Sequence, residues 1–296
     1  MSRVVVVVTE QVDVTADHVV LVLEERGVPV FRFDTAEFPQ ALTMSVRLDQ
    51  NQSGILRTPA REVSFDDVGA VYWRRPSIYQ LPSTLNADDA AWATREARFG
   101  VGGVLAAMPA WLNHPTCIAQ AEYKPVQFAA AREAGLTLPP TLVTNDFHAV
   151  RKFAKEVGPI VYKPLSGVQY KHATGRDFIY TQRVDIESID AESIGITTCL
   201  FQRWIEKDYE VRLVVVDGRC FAARIDSSSE RGRLDWRADY DSLTYTAIST
   251  PDHVRIAVVK LTSVLGLRVR CFRLHRDADR GMGIFGDKSE WPMGVG

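Results

Sequence analysis

Cysteine is scarce in this sequence of 296 residues, and no two cysteines form a C-x-x-C pair. The four cysteines are far apart along the chain: Cys117, Cys199, Cys220 and Cys271. Structural zinc sites and disulfide frameworks depend on closely or regularly spaced cysteines. We therefore expect neither kind of site, and we expect the four side chains to be reduced, buried thiols.

Long apolar runs and a strong net charge are missing as well. The apolar run at the N-terminus, Val4–Val8, is only five residues long and turns polar at Thr9, which excludes a signal peptide or a membrane-spanning helix. The formal net charge is −2 and the pI is about 6.3. This balance gives no reason to expect a nucleic acid or a membrane surface as partner. A cytoplasmic location follows by default.

The first third of the chain reads as a β-α-β unit that lacks the glycine-rich dinucleotide fingerprint. Val4–Val8 is continuous and β-branched, as in a strand buried on both faces. A helix is predicted over residues 16–26 and a second strand over 28–33. Because no G-x-G-x-x-G follows the first strand, we expect a small parallel-sheet lobe that does not bind a dinucleotide.

The rest of the chain changes character twice. Proline and polar residues near Asn113 mark the start of a second lobe, with helices predicted over 125–134 and 147–157 and a strand over 160–164. Antiparallel strands are predicted from 200 to 226, followed by a helix from about Thr250 to Leu265. The predicted fold class is therefore α/β with α+β lobes, divided at residues 1–112, 113–199 and 200–296.

Two lysines carry the first indication of chemistry. Lys124 directly precedes a predicted helix, and Lys163 lies in an apolar strand, where a charge requires a partner. The turn that follows, residues 165–168, could present backbone N–H groups to a phosphate. The alternative is that each lysine reaches solvent and that the turn is an ordinary hairpin.

The second indication of chemistry comes from charged residues on the strands predicted after residue 200. Period two places Glu210 and Arg212 on one face of a strand, either as part of a site or as a surface ion pair. A two-residue turn at Asp217-Gly218 would leave Arg224 on the face opposite to Glu210, whereas a three-residue loop would bring the two together. Arg237, after Asp235 and Trp236, is either a phosphate fork or one half of a local salt bridge.

The order of these segments resembles the ATP-grasp superfamily, and most closely its ribosomal-peptide maturases, the graspetide ligases of the microviridin type. Seven segments carry the resemblance, over about residues 1–268: Tyr72-Trp73-Arg74-Arg75-Pro76, Asn113-His114-Pro115, Lys124, residues 142–145, Val161-Tyr162-Lys163-Pro164, Gln202-Arg203-Trp204-Ile205 and Asp235-Trp236-Arg237. The resemblance implies an ATP-grasp fold preceded by a parallel-sheet pre-ATP-grasp lobe.

The resemblance also implies a role for each segment. ATP would be held by six residues, Lys124 and Lys163 at the phosphates, Gln202, Trp204 and Ile205 at the adenine, and Glu210 at the ribose. Arg212, Arg224 and Arg237 would face the γ-phosphate and an acyl phosphate formed from a peptide carboxylate. A hydroxyl or amine of a ribosomal precursor peptide would then attack, giving an ester or an amide. The sequence does not determine the oligomeric state, and a homodimer is compatible with it.

The last 28 residues depart from that resemblance. Ligases of this type need Mg²⁺ held by an Asp on one late strand and a Glu-x-Asn pair on the next, but residues 268–276 are mostly basic or apolar and contain no such pair. We predict no ordered β structure there and assign no metal ligand. Read one nucleotide later, degenerate codons for residues 269–296 permit a peptide with the Asp and the Glu-x-Asn pair. A single-nucleotide insertion near Arg268 is therefore a hypothesis that the coding DNA tests.

Three functions remain open from the sequence. The first is an ATP-dependent peptide ligase whose activity is impaired by the altered C-terminus. The second is a carboxylate–amine ligase for small substrates, and the third is a non-catalytic protein that binds nucleotide or peptide. ATP hydrolysis with and without a candidate peptide separates the third from the first.

Overall fold

The computed structural model describes residues 3–50, 52–166, 169–172, 175–277 and 281–287. The described residues form two compact units, one up to residue 118 and the other from residue 119 onward. The predicted division of the second unit at 199 stays a prediction. None of the described helices is both long enough and apolar enough to cross a membrane. All four cysteines are free, and of these Cys199 is buried.

The described residues of the first unit form seven strands and the helices that connect them. In chain order its elements are β1 Val4–Val8, α1 Val14–Glu25, β2 Val30–Phe33, β3 Thr43–Leu48, β4 Gln52–Arg57, β5 Glu62–Ser64, β6 Val68–Trp73, α2 Ala87–Ala106, β7 Trp111–Leu112 and α3 Pro115–Glu122, which runs into the second unit. A parallel sheet has the order β2-β1-β6-β7, and β3, β4 and β5 form a small antiparallel sheet. The expected parallel-sheet lobe is confirmed.

Burial explains why the N-terminal valines form the centre of this sheet. Val6, Val7 and Val8 are fully buried because β1 has a neighbour on each side. Val6 and Val8 pack with aromatic residues of β2 and with α2 residues such as Leu105. Asp13 caps α1, since its side chain accepts hydrogen bonds from the backbone N–H groups of Thr15 and Ala16.

The second unit contains two larger sheets. Its elements are α4 Lys124–Glu133, β8 Thr141–Thr144, α5 Phe147–Val157, β9 Ile160–Lys163, β10 Gln169–His172, β11 Gly175–Phe178, β12 Gln182–Arg183, α6 Ala191–Ile196, β13 Cys199–Arg203, β14 Lys207–Val216, β15 Arg219–Ser227, α7 Glu230–Leu234, β16 Leu243–Ile248, α8 Asp252–Val264, β17 Val269–Asp277 and β18 Gly281–Asp287. One sheet has the order β12-β9-β13-β8, the other β16-β15-β14-β17-β18, and β10 pairs with β11. The mixed α/β class predicted from the sequence is confirmed.

The prediction that the tail has no β structure is wrong. β17 pairs antiparallel with β14 along its length, and β18 pairs with β17. Period two is present, because Arg270, Phe272 and Leu274 are buried in alternation with half-buried Cys271 and Arg273. Arg270 stands at a core-facing position, where burial lowers its pKa to about 9. A charged residue at that position hid the alternation from sequence reading.

The turn between β14 and β15 has the two-residue form. Val216 pairs with Arg219, and both Asp217 (φ 47°) and Gly218 (φ 81°) have positive φ, as in a type I′ turn.

Gly218→Ala is expected to lower the free energy of unfolding by about 1 kcal/mol, because a Cβ disfavours the left-handed region. Denaturant unfolding measures the change. Gly195→Ala is the control, since Gly195 lies in α6 with nothing near an added Cβ, and we expect it to be neutral or stabilising. Equal losses in both variants would contradict the prediction.

Candidate active site

A small cleft lies at the ends of strands from both sheets of the second unit. Its walls come from β9, from the connection between β13 and β14, and from β17. The lining residues are Val161, Lys163, Thr181, Arg203, Trp204, Ile205, Lys207, Glu210, Leu234 and Arg273. Four of these are cationic and one is a carboxylate, so the cleft favours an anion.

Lys163 points from the last position of β9 into this cleft. Its Nζ donates to Oε1 of Gln202 at 2.5 Å, and Nε2 of Gln202 donates to the hydroxyl of Thr141 at 2.9 Å. Burial, with help from the charges of Arg273 and Lys207, lowers the pKa of Lys163 to about 7. Gln202 is itself fully buried. In this structure the side chain of Gln202 therefore orients Lys163. The role predicted for Gln202 at an adenine base stays a prediction, and its side-chain contacts do not support it.

Lys124 begins α4 and reaches the turn that follows Lys163. Its Nζ donates to the carbonyl oxygen of Leu165 at 2.6 Å. Burial, together with the charge of Arg237, lowers the pKa of Lys124 to about 8. Both ammonium groups donate to oxygens of the protein, so neither lysine simply extends into solvent. The predicted phosphate turn includes residues 167 and 168, which lie outside the described residues.

The segment between β13 and β14 forms an apolar wall with a polar backbone. The backbone N–H of Trp204 donates to the carbonyl of Pro159 at 2.8 Å, which fixes the segment against the neighbouring strand connection. The centre of the Trp204 ring lies 4.5 Å from the guanidinium carbon of Arg183, and its buried Nε1 has no hydrogen-bond partner among the described residues. Trp204 and Ile205 both line the cleft, as their predicted role requires.

Glu210 is the carboxylate of the cleft. It is buried, with 4% of its side chain exposed, and its two oxygens face different cations. Oε1 accepts a short hydrogen bond from Lys207, and Oε2 lies 3.2 Å from Nε of Arg273. Lys207 and Glu210 form a buried ion pair at the start of β14. Between them, at Lys207–Tyr209, the register of β14 against β17 shifts.

Asp235 lies behind the cleft and connects three elements. Its oxygens accept hydrogen bonds from the backbone N–H and hydroxyl of Thr181, from Nε and Nη2 of Arg237, and from Nη2 of Arg273 at 2.7 Å. Burial alone would raise the pKa of Asp235, but Arg273 and Arg237 hold it well below its ordinary value of 3.8. The local salt bridge considered from the sequence is thus present, and it extends to a strand 38 residues away.

The arginines predicted to act in the reaction do not all come together. Arg212 lies on the same face of β14 as Glu210 and pairs in register with Arg273. Arg237 is held by Asp235 and is close enough to Lys124 for its charge to lower the pKa of that lysine. Arg224 pairs in register with Val211, so the two-residue turn places it on the other face. Its guanidinium donates to both oxygens of Asp226 and lies over the ring of Tyr209.

Sequence reasoning missed three members of this cluster, namely Lys207, Thr181 and Arg273. Lys207 could have been found, because it stands three residues before Glu210 on the edge of an apolar strand. Thr181 carries no local signal. Arg273 was assigned to a tail without β structure, so its position opposite Arg212 was not considered.

The residues of the cleft do not fit a protein-bound Mg²⁺ ion. Mg²⁺ takes hard oxygen ligands in near-octahedral geometry, yet Glu210 and Asp235 are both committed to cationic side chains. Among the described residues, no three His, Cys, Asp or Glu side chains are grouped to hold a metal.

Two family models match the chain. Residues 4–119 match the MvdD pre-ATP grasp domain, and residues 129–250 match the ATP-grasp domain of prokaryotic glutathione synthetase. No curated protein matches the sequence significantly.

Solved structures resemble the whole chain. An ATP-grasp ligase of Chryseobacterium gregarium that is associated with ribosomally synthesised and post-translationally modified peptides (RiPPs), solved with ADP and a leader and core peptide, superposes with a TM-score of 0.90 at 22% identity, over 98% of this chain and 90% of that one. The macrocyclase MdnB of Microcystis aeruginosa MRC gives 0.79 at 26% identity, over 98% and 92%. The ATP-grasp ligase PsnB, complexed with a minimal precursor, Mg and ADP, gives 0.73 at 26% identity, over 98% and 90%. Together, the two domain matches, these structures and the cationic cleft identify the chain as a member of the ATP-grasp ligases.

Proposed function

We propose that this chain is an ATP-dependent ligase that activates a side-chain carboxylate of a ribosomal precursor peptide and joins it to a hydroxyl or amine of the same peptide. The observation that carries the proposal is a pair of half-buried lysines, Lys124 and Lys163, of which Lys163 lines the cleft together with the Trp204-Ile205 segment. This arrangement offers cations for phosphates beside an apolar slot for a base. Solved relatives with ADP and precursor peptides support it.

The chemistry follows from charge placement. The carboxylate attacks the γ-phosphorus of ATP, ADP leaves, and an acyl phosphate remains; the hydroxyl or amine then attacks its carbonyl carbon, releasing phosphate and one proton. Phosphoryl transfer depends chiefly on positioning and neutralisation of charge. We assign that work to Lys124, Lys163, Arg212 and Arg237. Ribose binding by Glu210 stays a prediction, since both of its oxygens face cationic side chains. The assignment of Arg224 stays a prediction without support from its position.

Magnesium, which accompanies ADP in one solved relative, would enter with the ATP phosphates, since the described carboxylates do not fit it. We expect slow turnover for that reason. A small-substrate carboxylate–amine ligase is the less favoured candidate, because the glutathione synthetase match covers residues 129–250 and the first unit matches a different domain.

The test uses the full chain, ATP, magnesium and a synthetic peptide containing Thr, Ser, Lys, Asp and Glu. The expected result is peptide-dependent ADP release together with the loss of one water from the peptide mass per crosslink. The control peptide has amides in place of its acidic side chains and should release no additional ADP. Nucleotide binding without turnover on any such peptide would favour a non-catalytic binding protein, for which the occupied carboxylates provide a physical reason.

Affinity for ADP is expected to fall as the pH rises from 7 to 9. The pKa of Lys163 is about 7, lowered by burial and by Arg273 and Lys207 and partly restored by Glu210 and Asp235; that of Lys124 is about 8. A bound phosphate requires both ammonium groups, so above pH 7 the free protein must take up protons on binding. Each lysine then costs up to about tenfold in affinity per pH unit. Calorimetric titrations across this range, with Lys163→Met as comparison, measure it. An affinity independent of pH would contradict it.

A further inference from the structure

Arg273 occupies the space between the two carboxylates of the active site. Its Nη2 lies 2.7 Å from Oδ1 of Asp235 and its Nε lies 3.2 Å from Oε2 of Glu210, with 18% of the side chain exposed. Its guanidinium also lies 5.6 Å from the ring centre of Trp236. The side chain is therefore fixed by three groups from two segments and still lines the cleft.

The position of Arg273 is set by the backbone. β17 pairs with β14 so that Arg273 stands opposite Arg212, and Glu210 stands opposite His275. Like charges directly opposite one another across a sheet are unfavourable unless another charge compensates them. Asp235 and Glu210 supply that compensation to Arg273. Burial alone would lower the pKa of Arg273, but these two carboxylates outweigh it and raise the pKa, so the guanidinium is always charged.

Such a cation is fixed in place and cannot dissociate, although it carries one positive charge where a divalent ion carries two. Lys163, Lys207, Arg203 and Arg273 line the cleft against the single carboxylate of Glu210. A free divalent cation would have to displace Arg273 or Lys207 from Glu210 and Asp235 before it could bind there. A polyphosphate, by contrast, meets a planar donor suited to phosphate oxygens.

We propose that Arg273 acts as the built-in counter-cation of this site, so that a nucleoside diphosphate or triphosphate binds the chain without a divalent metal ion. The inference rests on the proposed nucleotide site. One solved relative contains Mg together with ADP. The inference adds that, in this chain, the side chain of Arg273 takes the place of that metal ion in binding the nucleotide.

The experiment compares ADP binding to the full chain by calorimetry in EDTA and in excess Mg²⁺. The expected result is a Kd that differs by less than about threefold between the two conditions, since the charge is already in place. Binding that is at least tenfold tighter with Mg²⁺ overturns the inference and leaves the nucleotide site intact. No binding in either condition overturns both.

Variants provide a second test. Arg273→Gln removes the charge and is expected to weaken binding in EDTA by roughly tenfold to a hundredfold, as loss of a charge-assisted hydrogen bond does. Arg273→Lys keeps the charge and is expected to retain metal-independent binding within about fivefold. The control is Arg268→Gln, at an exposed position where the side chain pairs with Asp217, and it should change nothing. If Arg273→Gln fails to fold, the inference is tested by comparing the Kd for ADP in EDTA between Arg273→Lys and the unmodified chain. Binding by Arg273→Lys only when Mg²⁺ is present would overturn the inference.

Discussion

Asp235→Asn is expected to lower the free energy of unfolding by about 3–5 kcal/mol, the range for breaking a buried ion pair from one side. Asp235 is 1% exposed and accepts hydrogen bonds from Thr181, Arg237 and Arg273. An amide of the same shape keeps some of these bonds but leaves Arg237 without its negative partner and Arg273 with Glu210 alone. Because the three donors come from segments far apart in the chain, the loss is expected to be felt throughout the second unit.

The matched control is Asp226→Asn. Asp226 also accepts two hydrogen bonds from an arginine two residues away, Arg224, but the two side chains are 35% and 41% exposed. Solvent screens such a pair, and its loss should cost less than about 1 kcal/mol. Urea unfolding of both variants measures the difference. If both variants lose the same stability, the burial argument for Asp235 fails.

Acid stability gives an independent measure of the same carboxylate. The pKa of Asp235 in the folded chain is well below its ordinary value of 3.8. Its contribution to stability is therefore fully present above about pH 5 and is lost as the pH falls toward the folded-state pKa. The Asp235→Asn variant should lack this part of the acid transition.

Lys163→Met is expected to weaken ADP binding by roughly 10- to 150-fold, which corresponds to about 1.5–3 kcal/mol for a hydrogen bond to a charged group. The ammonium is buried in the cleft and held toward it by Gln202. Methionine fills a similar volume without the charge, so the cleft keeps its shape.

The same variant should not lose folding stability at neutral pH. The pKa of Lys163 in the folded chain, about 7, is far below its ordinary value of 10.5. Folding is therefore opposed by the buried charge at and below pH 7, and this cost disappears in the methionine variant. Lys152→Met, on an exposed part of α5, is the control and should leave ADP binding unchanged. A Lys163→Met variant that binds ADP normally would show that this lysine does not contact the phosphates.

Much of the architecture was predictable because it depends on local patterns. The β-branched run Val4–Val8, the capping of α5 by Asp146 and the glycine that ends α4 are all signals within a few residues. The antiparallel part from β14 to β15 was found in the same way, from alternation and from Asp217-Gly218. Lys124, Lys163 and the Trp204-Ile205 segment could be located because their order along the chain matches a known type of site.

Register was harder to predict, and two outcomes depended on it. Whether Arg224 joins Glu210 was decided by one residue in the turn length, and the two-residue form places Arg224 on the other face. The β structure after Leu267 was missed because Arg270 interrupts the apolar alternation, and it is stabilised there by pairing with β14. The hypothesis of a nucleotide insertion near Arg268 remains a prediction that the coding DNA tests.

The sequence by itself indicated most of the element types, two lysines as candidates for binding a nucleotide, and the absence of a recognisable metal motif after Arg268. Only the tertiary structure decided which charges meet. Asp235 and Arg273 are 38 residues apart, and Glu210 contacts both Lys207 and Arg273 because β14 and β17 are neighbours in one sheet. Coulomb attraction depends on distance and burial, neither of which is local in sequence. For that reason the feature that sets this site apart, a guanidinium between two carboxylates, appears only in the folded chain.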